Sequence, residues 1–279
     1  MEFVVYLNAI EKTVNMTHSG MVSKMLVELH TPIKYHLRLG EDSIDMNELL
    51  GRYVSLTWLN EIRCMNCGEV TYKSFGQGFC YSCFMTIPET DVCVLNPELC
   101  RAQEGIARDM DWAREHCLQD HFVYLALSSE VKVGVTRQSQ IPIRWIDQGA
   151  SKAIKLAKTP NRYLAGLIEV ALKKYLTDKT NWRSMLMNKI ADDVSLPLEK
   201  KRVAALLPED LRIYVTDDDT VVDLNYPCLS VPRKVISVAL EKQSLRGTLN
   251  GIKGQYLIFD QGNVINMRKY GGYIVELRF

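Results

Sequence analysis

The chain of 279 residues is 47% hydrophobic and 24% charged, with a formal net charge of +1 at pH 7. That balance excludes a disordered or low-complexity chain and one that is polybasic throughout, and the length suits about two domains or one core with small modules. The opening stretch has only a short apolar run with Glu2 beside Met1, which fits neither a signal peptide nor a membrane span, so a cytoplasmic protein without a membrane partner is expected.

In chain order, KMLVEL, KYHLRL and RYVSLTWL alternate apolar and polar positions, which predicts short antiparallel strands in an N-terminal β segment over residues 1–60. Residues 61–121 are rich in cysteine and poor in long periodic runs, as expected of a zinc-binding module in which metal replaces a hydrophobic core. Cys64 and Cys67, then twelve residues, then Cys80 and Cys83 form two Cys-x2-Cys knuckles that present four thiolates to one zinc ion as a zinc ribbon. With every position filled by thiolate, that zinc builds structure and performs no chemistry. Gly68, Gly76 and Gly78 allow tight turns around it. A pair of disulfides is the alternative, and it conflicts with a cytoplasmic setting. Cys93, Cys100, Cys117 and His121 form a second candidate zinc set ending in Cys-x3-His spacing, with His116 as an alternative ligand and buried cysteines as the plain reading. Cys228 in NYPCLS reads as a buried apolar residue.

Over residues 122–190 the pattern becomes a small α/β unit, with HFVYLALSS and VKVGVTR as strands and with IPIRWIDQGASKAIKLA and NRYLAGLIEVALKKYL as helices. Residues 191–279 begin with an acidic linker in which KKRVAALL can form a short helix. They return to strands in LRIYV, KVISVAL, QYLIF and GYIVELRF, with turn signals at Asn250-Gly251, Gly262-Asn263 and Gly271-Gly272. The fold class is therefore α+β, and whether the N- and C-terminal strands share one barrel or sandwich stays open.

Between Lys132 and Lys189 there are 12 Lys or Arg against three acids, Asp147, Glu169 and Asp178. A local excess of this kind suits an anionic partner, because lysine and arginine release counterions from phosphates. The candidate nucleic-acid contacts are Lys132, Arg137, Trp145, Lys152, Lys155, Lys158 and Arg162. The three lysines 152, 155 and 158 recur at helical steps, and Trp145 and Trp182 are candidates for base stacking. A merely solvated face is the competing reading.

The order of residues from His121 to Asn181 resembles the GIY-YIG endonuclease superfamily, whose small α/β domain carries two strands with Tyr-containing motifs, a helix with Arg and a later helix with Glu. Val123-Tyr124-Leu125 matches the first motif and Val133-Gly134-Val135 the second, while Arg144 falls on the first helix, Glu169 on the next, and Asn181 closes the pattern. Val123 stands for the first glycine and Val133 for the second tyrosine. Lys132, beside that lost tyrosine, is expected to point to the opposite strand face from residue 133. The resemblance covers about a quarter of the chain. It implies that Tyr124 orients or deprotonates a water, Arg144 clamps a phosphate oxygen with its planar fork, Glu169 anchors Mg²⁺ or Mn²⁺, and Asn181 positions the scaffold or phosphate. Over the whole length, the ribbon, PELC, VKVGVTR, RWIDQGA, DKTNW and GIKGQYLIF also resemble a prokaryotic zinc-ribbon family of unknown function. The expected activity is divalent-metal-dependent hydrolysis of DNA or RNA phosphodiesters by a zinc-containing protein. The alternatives are a nucleic-acid-binding relic of the fold and a zinc-built scaffold for protein partners.

Overall fold

In the computed structural model, which describes residues 16–177, 180–191 and 194–279, the chain opens with β1 (Thr17–Met21), β2 (Leu26–Glu28), β3 (Lys34–Leu39), β4 (Asp42–Asp45) and β5 (Tyr53–Ile62). The opening segment read for its leader character, Asp178 and Lys179 of DKTNW, and Asp192 and Asp193 at the start of the expected linker lie outside the described residues. The alternation in KYHLRL is realised directly: Tyr35, Leu37 and Leu39 are buried on one face of β3, while Lys34, His36 and Arg38 face outward.

After the ribbon, α1 (Tyr81–Thr86) grows out of the second knuckle, and a cysteine-containing stretch follows with α2 (Val92–Leu95) and α3 (Met110–His116). Next come β6 (His121–Leu127), β7 (Val131–Arg137), α4 (Ile143–Asp147), β8 (Lys152–Thr159), α5 (Arg162–Leu172), α6 (Trp182–Leu186), α7 (Leu196–Ala204), α8 (Glu209–Arg212) and β9 (Val221–Asp223). The strands β10 (Ile236–Ser237), β11 (Leu245–Lys253), β12 (Tyr256–Phe259), β13 (Asn263–Asn266) and β14 (Tyr273–Arg278) end the chain.

These elements form two compact units, one built from the residues up to Phe84 together with Tyr226–Phe279, the other from Met85–Asn225. In the first, N- and C-terminal strands share one seven-stranded sheet of order β1-β14-β5-β11-β12-β13-β10, accompanied by the three-stranded sheet β2-β3-β4. In the second, an antiparallel sheet of order β7-β6-β8-β9 has a face lined by Val123, Leu125 and Val133, against which Ala165, Ile168 and Leu172 of α5 and Leu196 and Val203 of α7 are packed. The side chain of Asn161 accepts the N–H of Leu164 and so starts α5. No helix among the described residues is long and apolar enough to cross a membrane.

The fold is α+β, and four local expectations need correction. The helix expected over IPIRWIDQGASKAIKLA is only α4: the chain turns at Gly149, where φ is +69°, and the second half becomes β8 with Ala153, Ile154, Leu156 and Ala157 buried. Of the three lysines spaced as if on one helical face, Lys155 and Lys158 do share a face, because β8 shifts register against β6 between Val123 and Tyr124 and sets them opposite Tyr124 and Phe122, whereas Lys152, opposite Leu127, lies on the other. In LRIYV, Pro208 and the acids Glu209 and Asp210 begin α8 instead of a strand, and only Val215 bridges to the sheet, at Ala157. Asn250-Gly251 lies inside β11 at a register shift rather than in a turn; there Gly251 admits Cys228, which is exposed and not buried as expected.

Candidate metal centres and polar cluster

The ribbon is assembled by backbone turns that the glycines permit. Gly68 adopts φ +77° and returns its N–H to the Cys64 carbonyl at 2.9 Å, while the Met65 N–H reaches the Gly78 carbonyl at 2.8 Å and ties one knuckle to the other. Single ligand atoms of Cys64, Cys67, Cys80 and Cys83 all lie within 4.8 Å of one another, a set that could hold one metal ion. Donors surround the sulfurs: Asn66 Nδ2 donates to Cys83 Sγ at 3.3 Å and the Cys83 N–H to Cys80 Sγ at 3.5 Å. Burial pushes the Cys64 thiol up, but the backbone N–H groups of Cys67, Cys80 and Asn66 outweigh it and hold that thiol at about 6. None of the eight cysteines forms a disulfide.

A second group lies in the other unit. Cys93, Cys100 and Cys117 bring their sulfurs within 4.8 Å of one another and are all buried, so this set too could hold a metal ion. Contacts with the Cys117 and Cys93 sulfurs, helped by the positive charge of Arg162, hold Cys100 low, while contacts with Cys100 and Cys117 together with burial push Cys93 up, as expected of neighbouring thiols that cannot all ionise without a cation. The expected fourth member, His121, falls outside the 4.8 Å grouping of the sulfurs. It is nevertheless 1% exposed, with Nδ1 at 2.7 Å from the Gln119 carbonyl and Nε2 buried without a hydrogen-bond partner. His116 is occupied elsewhere, stacked on Trp112 with its Nδ1 at 3.0 Å from the Trp112 carbonyl. A cavity of about 370 Å³ borders the three cysteines and also touches Arg108 and Trp112.

The third feature is a polar cluster on the sheet face opposite the α5 core. Tyr124 on β6 pairs with Gly134 on β7, and Ala126 pairs with Lys132, so all four residues share that face. Tyr124 is fully buried, packs edge-on against Trp145 of α4 at 6.0 Å, and donates its hydroxyl to Gln148 Oε1 at 3.0 Å. Burial raises its phenol above the ordinary range, against the lowering pull of the Arg144 charge and the Gln148 hydrogen bond; the Glu169 carboxylate adds to the rise. The Arg144 and Glu169 charges thus act on the Tyr124 hydroxyl in opposite senses, while Glu169 itself, on α5, is paired to Lys173 at 3.4 Å. Lys132, expected on the opposite face from residue 133, does lie there, which places it on the Tyr124 face. It is buried and donates Nζ to Thr180 Oγ1 at 2.9 Å. Asn181 caps α6 by accepting the Ser184 N–H, and with Thr180 it lines a polar cavity of about 400 Å³. Gln148 and Thr180 escaped the sequence reading. The one signal available for Gln148 was its place four residues beyond Arg144, one helical turn along.

A family model described as protein of unknown function (DUF2797) matches residues 51–275, a span that includes both cysteine groups and the Tyr124 cluster. The chain belongs to that family. No curated protein and no solved structure matches it.

Within this family member the expected nucleic-acid contacts divide. Lys152, Lys155 and Lys158 form ion pairs with Asp223, Asp218 and Asp120 at 3.7, 3.2 and 2.7 Å. Trp145, Lys132 and Arg162 are 1%, 4% and 9% exposed, so these three are packing or internal polar residues and not an outer surface, contrary to expectation. Arg137 is half-buried opposite His121, and Arg144 is half-buried at the rim of the Tyr124 cluster. Trp182, the other stacking candidate, already carries the Arg183 guanidinium over its ring at 4.2 Å.

Proposed function

We propose that the protein is a cytoplasmic, zinc-containing, nucleic-acid-processing protein whose second unit is GIY-YIG-like and hydrolyses phosphodiesters with Mg²⁺ or Mn²⁺. The observation that carries this reading is the order in which the fold presents Tyr124, Arg144 and Glu169, the charges of the last two both acting on the Tyr124 hydroxyl. One residue comes from the paired strands, one from the helix between β7 and β8, and one from the helix after β8, which is the order the superfamily resemblance implies. Arg144 supplies a fixed positive fork for a phosphate oxygen, and Glu169 supplies a hard oxygen ligand for the divalent cation. Tyr124, held by Gln148, would orient the attacking water. Reduced thiols in both cysteine groups fit a cytoplasmic setting.

Full burial of Tyr124 favours a second reading, in which the unit binds nucleic acid without cutting it. The lysine pairs with Asp223, Asp218 and Asp120 lean toward the third, a scaffold for protein partners, because they neutralise β8 internally. The deciding experiment incubates the full chain with single-stranded, duplex and branched DNA and RNA, with Mg²⁺ or Mn²⁺. Cleavage that Glu169→Gln abolishes while binding persists supports hydrolysis. Salt-sensitive binding without cleavage by the wild type selects the binding protein, and no binding at low salt selects the scaffold.

A further inference from the structure

We propose that Cys93, Cys100 and Cys117 form a zinc centre whose fourth ligand is His121 Nε2 and whose built-in counter-charge is the buried guanidinium of Arg162. The first support is a pair of orphaned atoms at one place. His121 Nε2 and Arg162 Nε are both buried without a hydrogen-bond partner, beside three thiols that lie within 4.8 Å of one another. Buried polar atoms without partners are rare, and these two have complementary needs: a zinc ion would take the imidazole lone pair, and the thiolates it holds ionised would answer the guanidinium N–H.

The second support is the state of the imidazole. The Gln119 carbonyl can only accept, so Nδ1, 2.7 Å away, carries the ring proton and Nε2 keeps its lone pair. A backbone carbonyl on the far nitrogen is the arrangement that fixes a metal-ligating histidine in orientation and tautomer. Ligation draws the ring inward, because its nitrogen now stands outside the grouping of the three sulfurs.

The third support is charge. Three thiolates and a neutral imidazole around Zn²⁺ leave one net negative charge, and one buried arginine cancels it; a fourth thiolate would leave a second charge uncancelled in a buried site. Arg162 is also laced into the loops that carry the ligands. Its backbone N–H bonds the Cys117 carbonyl at 2.9 Å, and its guanidinium bonds the Cys93 carbonyl at 3.2 Å and the His116 carbonyl at 3.0 Å. The centre therefore fastens the first turn of α5. One turn further on, a methyl group at Gly166 would come within 2.2 Å of the Glu98 backbone nitrogen, so the helix and the Pro97–Leu99 turn are in direct contact.

The test measures zinc stoichiometry and affinity in the full chain by competition with a chromogenic chelator, joined by X-ray absorption of the bound zinc and by the visible spectrum of the Co²⁺-substituted protein. The wild type should hold two zinc ions, and the absorption fit should require nitrogen as well as sulfur. His121→Ala should weaken one zinc at least tenfold and leave the other unchanged. His121→Cys should restore a second metal while removing the nitrogen component and moving the cobalt bands to longer wavelength. Arg162→Met should weaken the same zinc with all four ligands intact. A single zinc in the wild type would overturn the proposal. So would an unchanged second site in His121→Ala, which would assign the fourth position to an exogenous ligand entering from the bordering cavity, or a loss confined to His116→Ala. If His121→Ala fails to fold, the nitrogen component in the wild type and its disappearance in His121→Cys decide the matter.

Discussion

Tyr124 lies across the β6–β7 pair from Gly134, so close that a methyl group at residue 134 would come within 2.6 Å of the phenolic oxygen. A glycine within a strand ordinarily weakens it, so replacing one by alanine is neutral or favourable when space allows. Here the tyrosine ring occupies the space. Gly134→Ala is therefore expected to destabilise the protein by about 1–3 kcal/mol and to displace the hydroxyl from Gln148, because overpacking forces neighbours off their preferred positions. Urea denaturation measures the first effect. A neutral or stabilising result would mean that the ring moves aside without loss.

Tyr124→Phe separates the hydrogen bond from the packing. The ring volume is kept, while the half-buried Gln148 side chain loses the donor at 3.0 Å, so a loss of about 1 kcal/mol is expected. Because burial holds the phenol above its ordinary range, no phenolate forms near neutrality. Any cleavage should accordingly show no titration attributable to Tyr124 below pH 9 or so. A pH–rate step that vanishes in Tyr124→Phe would contradict the buried, orienting role.

The strands around this pair were legible in the sequence because HFVYLAL and VKVGVTR are rich in β-branched and aromatic residues, and the cysteine spacings spoke for themselves. The strand β8 was not legible. Its lysines sit at three-residue steps that match a helical face, and only the register shift against β6, a property of two strands together, puts Lys155 and Lys158 on one strand face and leaves Lys152 on the other. Arg162 was read as an outward cation for the same reason: its partners Cys93 and His116 stand 69 and 46 positions away, beyond any local pattern. The strand period was enough to turn Lys132 away from residue 133, and that direction is what brings it onto the Tyr124 face.

Arg144→Lys tests whether the proposed phosphate contact is geometric. Lysine keeps the charge but loses the planar fork, so a fall in cleavage on the order of 10²-fold with binding little changed would place the contact in the transition state. A proportional fall in binding and cleavage would instead mark Arg144 as a general electrostatic attractor.

Lys253 supplies a pH dependence in the other unit. It is 7% exposed, and burial pushes its ammonium down to about 8, with the Cys228 charge opposing the fall and the Tyr226 ring at 5.3 Å. Between about pH 8 and 10.5 the unfolded chain keeps this proton while the folded chain has released it, so stability rises with pH across that window. Below it the penalty is constant. Lys253→Met is expected to stabilise the protein by about 1–3 kcal/mol at pH 7 and to flatten the rise. Thermal denaturation at pH 7 and pH 10 checks both, and a variant less stable than the wild type at pH 7 would show that contacts of the ammonium outweigh its burial.

A zinc ion held by the four ribbon cysteines should stabilise more than its own loop, because the knuckles are packed against the turn before β14. Arg63 N–H reaches the Gly272 carbonyl at 2.7 Å, Ser74 Oγ donates to the Gly271 carbonyl at 3.0 Å, and a methyl group at Gly271 would come within 2.1 Å of the Gln77 carbonyl oxygen. That turn leads into β14, which lies between β1 and β5 in the seven-stranded sheet. Cys80→Ser combined with Cys83→Ser removes two thiolates and with them the four-coordinate site, leaving the knuckle turns without the cation that offsets their ordering. Hydrogen exchange should then accelerate in residues 63–84 and also at Gly271–Gly272 and the start of β14, while the β6–β7 pair of the other unit keeps its protection. Faster exchange confined to the knuckles would mean that the turn is held by the sheet alone, and that the zinc stabilises only the loop that binds it.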